Sequence, residues 1–375
     1  MGSGITSGEC SERDTVNISQ WAVSAWLYTP LDTSITTIVI PILWSLGIIT
    51  NLTFLFVIVR VPKLRSDTNI YLAHLSLADL LFLNLTSTYS VWRYVDSPVA
   101  YHFPFVSTAQ CISYFTFTNT GYYASIALVT VVSLERYLAL CHPMKHLAIR
   151  GRRRTYRMIG ICWLVGLLFA VFTSLSQAIL HVQCLRWPDD DAYQDYPSSR
   201  AYCASVAPWV SYYNPPVLNI PWLIAMVANS YMYVRIVHML NKRSGQNLVS
   251  NGPNAIKIRN QVAKMLVVNG VVFFLCQTPY RIYSLSGWIC SLVGIRNPLW
   301  LPGISAWIAN IPQFINTLIN PLIYGAVNRQ YRIAFVQAFR CKSHHSTGQH
   351  SPSQPTFTTR AASSKPSTVE EDTKL

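Results

Sequence analysis

Ile159-Gly160-Ile161-Cys162-Trp163-Leu164-Val165-Gly166-Leu167-Leu168-Phe169-Ala170-Val171-Phe172-Thr173 carries no charged side chain, and Arg152-Arg153-Arg154 and Arg157 stand just before it. A hydrocarbon core roughly 30 Å thick asks about 20 apolar residues of a helix that crosses it. An apolar run with a basic flank therefore reads as a membrane span entering from a basic side. Working outward, seven such stretches fall at about 34–60, 69–94, 108–141, 154–178, 208–240, 256–288 and 299–325. They use more than half of the 375 residues and leave no room for a separate soluble domain. Charged residues make up 12% of the chain, against roughly 25% in soluble domains. Uncharged runs, Met265 to Leu275 among them, weigh against a soluble all-helical protein.

The expected fold is an all-α membrane protein: a seven-transmembrane helix bundle with a short amphipathic membrane-surface helix after the seventh span. Residues 1–33 form an extracellular tail, 34–325 the bundle, 326–341 the amphipathic helix and 342–375 a disordered cytosolic tail. The net charge of +14 is a topology signal. Lys63, Arg65, Lys145, Arg150, Arg152, Arg153, Arg154, Lys242, Arg243, Arg329 and Arg332 fall on one side of the spans, whereas Asp96, Asp189, Asp190, Asp191 and Asp195 fall on the other. Cytosolic loops carry the excess of Lys and Arg, so the N-terminus lies outside and the C-terminus in the cytosol, in the plasma membrane. Nucleic acid is not needed to explain the charge.

Residues 1–33 lack the charged-then-apolar pattern of a cleavable leader, so the first span is expected to be its own insertion signal. Asn17-Ile18-Ser19 is a candidate glycosylation site in this tail. Tyr331, Phe335 and Phe339 recur every four residues among Arg329, Arg332 and Arg340, as on a helix lying on the inner membrane surface among lipids. Cys341, at its end, is a candidate for palmitoylation. The Ser/Thr-rich remainder offers phosphorylation sites and an arrestin contact, and Thr373-Lys374-Leu375 resembles a PDZ ligand.

Five cysteines fall outside: Cys10, Cys111, Cys184, Cys203 and Cys290. A Cys111–Cys203 bridge would pin the long loop before the fifth span across the bundle mouth. Cys184 can take the place of Cys203, and Cys10 with Cys290 is a candidate second pair.

Polar side chains inside spans need partners. Asn51, Asp79, Ser125, Asn316 and Asn320 occupy the inner halves of the first, second, third and seventh spans. One acid among neutral oxygens and amides suits an allosteric sodium ion, ordered water, or a network that glues helices. No other cofactor is required. Pro221, Pro279 and Pro321 each remove a backbone hydrogen bond and permit a kink.

In order along the chain stand Asn51, Leu75-Ser76-Leu77-Ala78-Asp79, Cys111, Glu135-Arg136-Tyr137, Trp163, Pro221, Phe273 through Pro279, and Asn320-Pro321-Leu322-Ile323-Tyr324. On these motifs, over roughly residues 34–341, the chain resembles a class A (rhodopsin-like) G-protein-coupled receptor, a signalling protein and not an enzyme. The resemblance implies a sodium pocket of Asp79, Ser125, Asn316 and Asn320, and a connector of Ile126, Pro221 and Phe273. It implies that Arg136 engages a heterotrimeric G protein once the sixth span moves outward, while Pro143 and Met144 pack against it. Three departures stand out. Gln277 replaces the family's usual tryptophan, Asn229 stands where a tyrosine normally meets Tyr324, and Arg259 replaces an acid that restrains Arg136 in some members. Glu135 is left to hold Arg136, so agonist-free signalling is expected.

The outer half of the bundle excludes two ligand classes. Phe314 stands where opsins carry their retinal lysine, and Thr118 where amine receptors carry an aspartate. Candidate ligand contacts are Arg93, Thr118, Asn119, Tyr122, Gln277, Tyr280, Arg281, Trp307, Asn310 and Phe314. Arg281 needs an acceptor, which a ligand carbonyl or carboxylate, or internally Gln277 or Asn310, can supply. Pro279-Tyr280-Arg281 resembles the neuropeptide receptors for thyrotropin-releasing hormone, and the end of the seventh span those for neuromedin U. The expected ligand is a short extracellular neuropeptide. A lipid or small-carboxylate receptor is the alternative and a transporter a remote one, lacking paired repeats and a continuous polar path.

Overall fold

The apolar runs become helices whose ends sit where the sequence supplies caps and prolines. The computed structural model describes residues 12–245, 253–299, 301 and 304–340. Within them the spans are Pro30–Arg60, Asp67–Asp96, Thr108–Cys141, Arg152–Ser174, Pro208–Gly245, Pro253–Val293 and Ser305–Val327. Among the described residues the first six are long and apolar enough to cross a membrane. The seventh has 23 residues, about 34 Å at 1.5 Å per residue. Asn310, Gln313, Asn316 and Asn320 dilute its hydropathy, so apolarity alone does not mark it as a span. Cys341, the tail beyond it and the side chain of Arg259 lie outside the described residues.

Local chemistry sets the ends. Thr29 caps the first span, accepting from the Asp32 N–H while Asp32 accepts from the Thr29 N–H, and Pro30 opens the helix. The span therefore starts at Pro30 instead of 34, with a π-helical turn at Ile35–Val39. Ser66 and Ser107 cap the second and third spans through the N–H groups of Asn69 and Gln110. The third stops at His142, the residue before Pro143, as the restricted backbone there dictates. The surface helix is Arg329–Phe339, narrower than 326–341.

The third span lies at the centre, packed on the second, fourth, fifth and sixth. Two glycines permit this. A Cβ on Gly121 would come within 2.9 Å of the Ala78 carbonyl on the second span, and one on Gly166 of the fourth within 2.9 Å of the Ala124 nitrogen. Small residues let backbones approach where lipid supplies no hydrophobic drive. Outward, Ile38, Ile42, Leu46, Ile49 and Phe56 are exposed along one face of the first span, as a helix bordered by lipid requires.

Outside the membrane, three short strands accompany the helical bundle. Strand β1 (Thr15–Asn17) pairs in parallel with β2 (Ile179–Arg186), and β2 pairs antiparallel with β3 (Ser199–Ala204). Cys203 on β3 is bonded to Cys111, so the sheet hangs across the bundle mouth. Cys184 is disulfide-bonded while Cys290 is free and buried, which removes the Cys10–Cys290 pairing; Cys10 lies outside the described residues. The N-terminal segment is thus no free tail. Leu27 bridges to Val99, the Arg200 guanidinium lies 4.6 Å from the Trp26 ring centroid, and Asn17 stays exposed at the end of β1.

Candidate functional site

Two neighbouring cavities lie in the outer half of the bundle. The outer, about 690 Å³, lies between the N-terminal segment and the second and seventh spans; the inner, about 250 Å³, lies between the third, fifth and sixth. Phe82, Thr86, Tyr114, Asn310 and Gln313 line both, so the two are neighbouring compartments that share a wall. Of the expected ligand contacts, Arg93, Trp307, Asn310 and Phe314 line the outer compartment, and Thr118, Asn119, Tyr122, Tyr280, Arg281 and again Asn310 the inner. Gln277 lines neither; it is buried one helical turn inward from Arg281.

Arg281 is 1% exposed. Its Nη1 donates to the Leu218 carbonyl at 3.1 Å, and its guanidinium lies 4.6 Å from the Tyr122 and 5.0 Å from the Tyr280 ring centroid. The internal partners considered from the sequence, Gln277 and Asn310, do not hold it. Asn310 spends its amide on the Ala306 carbonyl, and Gln277 Oε1 has no partner. Among the described residues no carboxylate pairs with Arg281, and its Nε is buried without an acceptor. Thr118 Oγ1, Tyr122 Oη, Gln177 Oε1, Asn214 Oδ1 and Gln313 Nε2 share that condition around the same compartment. A buried polar atom without a partner costs about 1–3 kcal/mol. A cluster of them at a cavity wall marks where water or a ligand's polar groups belong.

The N-terminal segment contributes contacts that carry little signal in the sequence. Asp32 Oδ1 accepts from the Trp307 indole at 2.6 Å, closing the first span on the seventh across the outer compartment. Tyr28 lies beside Arg93, whose guanidinium also faces Tyr89, at 6.0 and 5.6 Å from the two ring centroids. Gln313 was legible: Asn310, Gln313, Thr317 and Asn320 recur at spacings of three, four and three, one polar stripe on the seventh span.

Deeper in the bundle, Asp79 accepts from Ser125 at 3.1 Å and from the Asn320 amide at 2.6 Å. Asn51 instead donates to the Gly47 and Thr317 carbonyls. The Oδ1 atoms of Asn51, Asn316 and Asn320 are buried without hydrogen-bond donors. Between this level and the cleft, Ile126 and Phe273 belong to the main apolar cluster, with Pro221 partly buried on the fifth span.

At the cytosolic end the expected Glu135–Arg136 pairing is not what forms. Glu135 Oε1 lies 2.6 Å from Arg154 Nη1 of the fourth span, a charge contact without hydrogen-bond alignment, and Oε2 lies 3.7 Å from His146 Nδ1. Burial lowers the His146 imidazole's pKa while the Glu135 carboxylate pulls it the other way, so Arg154 supplies the lasting positive charge. Arg136 donates to the Thr68 hydroxyl. Tyr137 meets His142 at 3.1 Å, and Pro143 and Met144 are exposed. Tyr324 is fully buried against Phe54 and Tyr331. Asn229 is turned to Thr130 and the Ala225 carbonyl. One turn on, Tyr233 contacts Ser133 at 2.9 Å and covers Gly270 of the sixth span.

Comparison with known proteins bears on the fold. Residues 50–324 match the 7 transmembrane receptor (rhodopsin family) model. The human neuromedin-U receptor 2 is 28% identical over 337 residues, covering 86% of this chain and 75% of that protein. The mouse thyrotropin-releasing hormone receptor is 26% identical over 372 residues, covering 88% and 86%. With seven helices in order and a model matched across most of them, the chain belongs to the rhodopsin family of seven-transmembrane receptors, multi-pass proteins of the plasma membrane that are not enzymes.

Proposed function

We propose that this receptor binds a short extracellular peptide, amidated or otherwise capped, whose end reaches Arg281, and that it activates a heterotrimeric G protein. The observation that carries the reading is Arg281 itself, a buried guanidinium on a cavity wall with no carboxylate partner among the described residues. The names of the two relatives, receptors for neuromedin U and for thyrotropin-releasing hormone, support a peptide. A screen of a neuropeptide library on expressing cells, reading calcium and cyclic AMP together, is expected to yield an agonist. Activation by fatty acids or small carboxylates and by no peptide would favour the second reading, a carboxylate held by Arg281. The tail's arrestin and PDZ contacts, palmitate at Cys341 and glycan at Asn17 belong to the same proposal, testable by mass spectrometry and pull-down.

Asp79, Ser125 and the donor-free oxygens of Asn316 and Asn320 fit an allosteric sodium ion. A bound ion would neutralise the lone carboxylate and tie the second, third and seventh spans together. Sodium chloride is expected to raise the unfolding temperature above that in equimolar choline chloride, and Asp79→Asn to erase the difference. Equal curves in the two salts for the unmodified receptor would rule the site out.

Agonist-free signalling remains expected on the sequence ground that Arg259 stands where some members of the family carry a restraining acid. A basal second-messenger level equal to that of empty cells would refute it.

A further inference from the structure

The cleft holds a second cation that resembles Arg281 in its surroundings. Arg93, on the second span, lines the outer compartment as Arg281 lines the inner. Each guanidinium faces two tyrosine rings, Tyr28 and Tyr89 at Arg93 and Tyr122 and Tyr280 at Arg281. The Nε of each is buried without an acceptor. Among the described residues neither forms an ion pair with a carboxylate. The outer compartment does contain an acid, Asp32, yet three donors already serve it: the Trp307 indole at 2.6 Å, and the Thr29 N–H and hydroxyl at 2.9 and 2.6 Å.

From this we infer that the cleft selects a ligand with an acceptor group at each of two ends, a carbonyl or carboxylate oxygen deep at Arg281 and a second one at Arg93. The inference rests on the cleft being the ligand site. The physical reason is the cost of leaving either guanidinium partly unsatisfied, Arg281 buried and Arg93 half-buried, which a planar oxygen acceptor relieves through a charge-assisted hydrogen bond. The tyrosine rings flank each guanidinium before binding, which limits the side-chain freedom lost when the acceptor arrives. One acceptor satisfies one compartment. Only a ligand long enough to run past the shared wall at Tyr114 and Gln313 engages both, and the second contact then forms at the high effective concentration that tethering supplies.

The probes are straight α,ω-dicarboxylates from succinate to dodecanedioate, with the monocarboxylate of each length as control. Binding is read as the thermal shift of purified full-length receptor. The dicarboxylates are expected to show an optimum chain length, at which apparent affinity exceeds that of the matched monocarboxylate by at least about tenfold, the worth of one added hydrogen bond to a charge. Arg93→Gln and Arg281→Gln should each lower that optimum to the monocarboxylate level, and Arg93→Lys, which keeps the charge, should retain part of it. Unfolding temperatures without additive show whether each variant is folded. An optimum lost in Arg281→Gln but kept in Arg93→Gln overturns the two-ended site while leaving the Arg281 reading intact. An optimum that survives both substitutions, or no optimum at any length, also overturns it.

Discussion

Arg281→Ala is expected to weaken the agonist by about 30-fold to several thousand-fold, the equivalent of the roughly 2–5 kcal/mol that follows removal of one partner from a buried, charged hydrogen bond. Three features place Arg281 at the high end of ligand contacts. Its side chain is buried, so solvent does not screen what it binds. Its remaining protein acceptor is the Leu218 carbonyl, which leaves donors free for the ligand. The Tyr122 and Tyr280 rings flank the guanidinium, 4.6 and 5.0 Å from their centroids. Arg281→Lys is expected to fall between, because an ammonium keeps the charge but loses the planar fork. The measurement is a concentration–response curve for a library-derived peptide, with surface expression matched between variants. Unchanged potency in Arg281→Ala would falsify the proposed binding mode.

The bundle was legible because its determinants are local. The reading of 108–141 coincides with Thr108–Cys141 since Ser107 and His142-Pro143 mark both ends within the sequence itself. The first span ran four residues earlier than read, because a Thr29–Asp32 capping box extended it past the last apolar residue. What stayed hidden depends on pairings between distant segments. A three-residue β1 has no signal until β2 supplies its partner, and the Asp32–Trp307 contact joins residues 275 apart. The same holds for charge. Adjacency suggested Glu135 with Arg136, but successive helical residues point away from each other. Glu135 therefore met Arg154 of the fourth span, and Arg136 met Thr68 of the second. The absence of the family's tyrosine at Asn229 was visible in the sequence, but the packing of Tyr233 one turn away was not. That packing depends on a glycine in another helix.

Gly270→Ala carries the second large effect, through the packing of Tyr233. A Cβ at Gly270 would overlap the Tyr233 hydroxyl and Cζ and lie 2.9 Å from Cε2, contacts that no small adjustment relieves. Tyr233 is 7% exposed and packs with Leu140, Ile236 and Ala263, so its ring cannot swing into open space. Either the ring moves and abandons Ser133, stranding a buried hydroxyl, or the sixth span moves away from the fifth. Overpacking of this kind costs about 1–3 kcal/mol. The unfolding temperature of the purified receptor should fall accordingly. Displacing the sixth span is the movement that family resemblance associates with G-protein engagement, so agonist-free second messenger should rise above the unmodified receptor's level. Tyr233→Phe removes only the Ser133 contact and should cost less, about 0.5–1.5 kcal/mol. The decisive comparison is Gly270→Ala combined with Tyr233→Leu. Shortening the ring removes the atoms in the way, so the pair should recover both stability and a lower basal signal than Gly270→Ala alone. If the double variant is as unstable and as active as the single one, Tyr233 is not what fills the notch at Gly270. The third, fifth and sixth spans would then be coupled by other contacts.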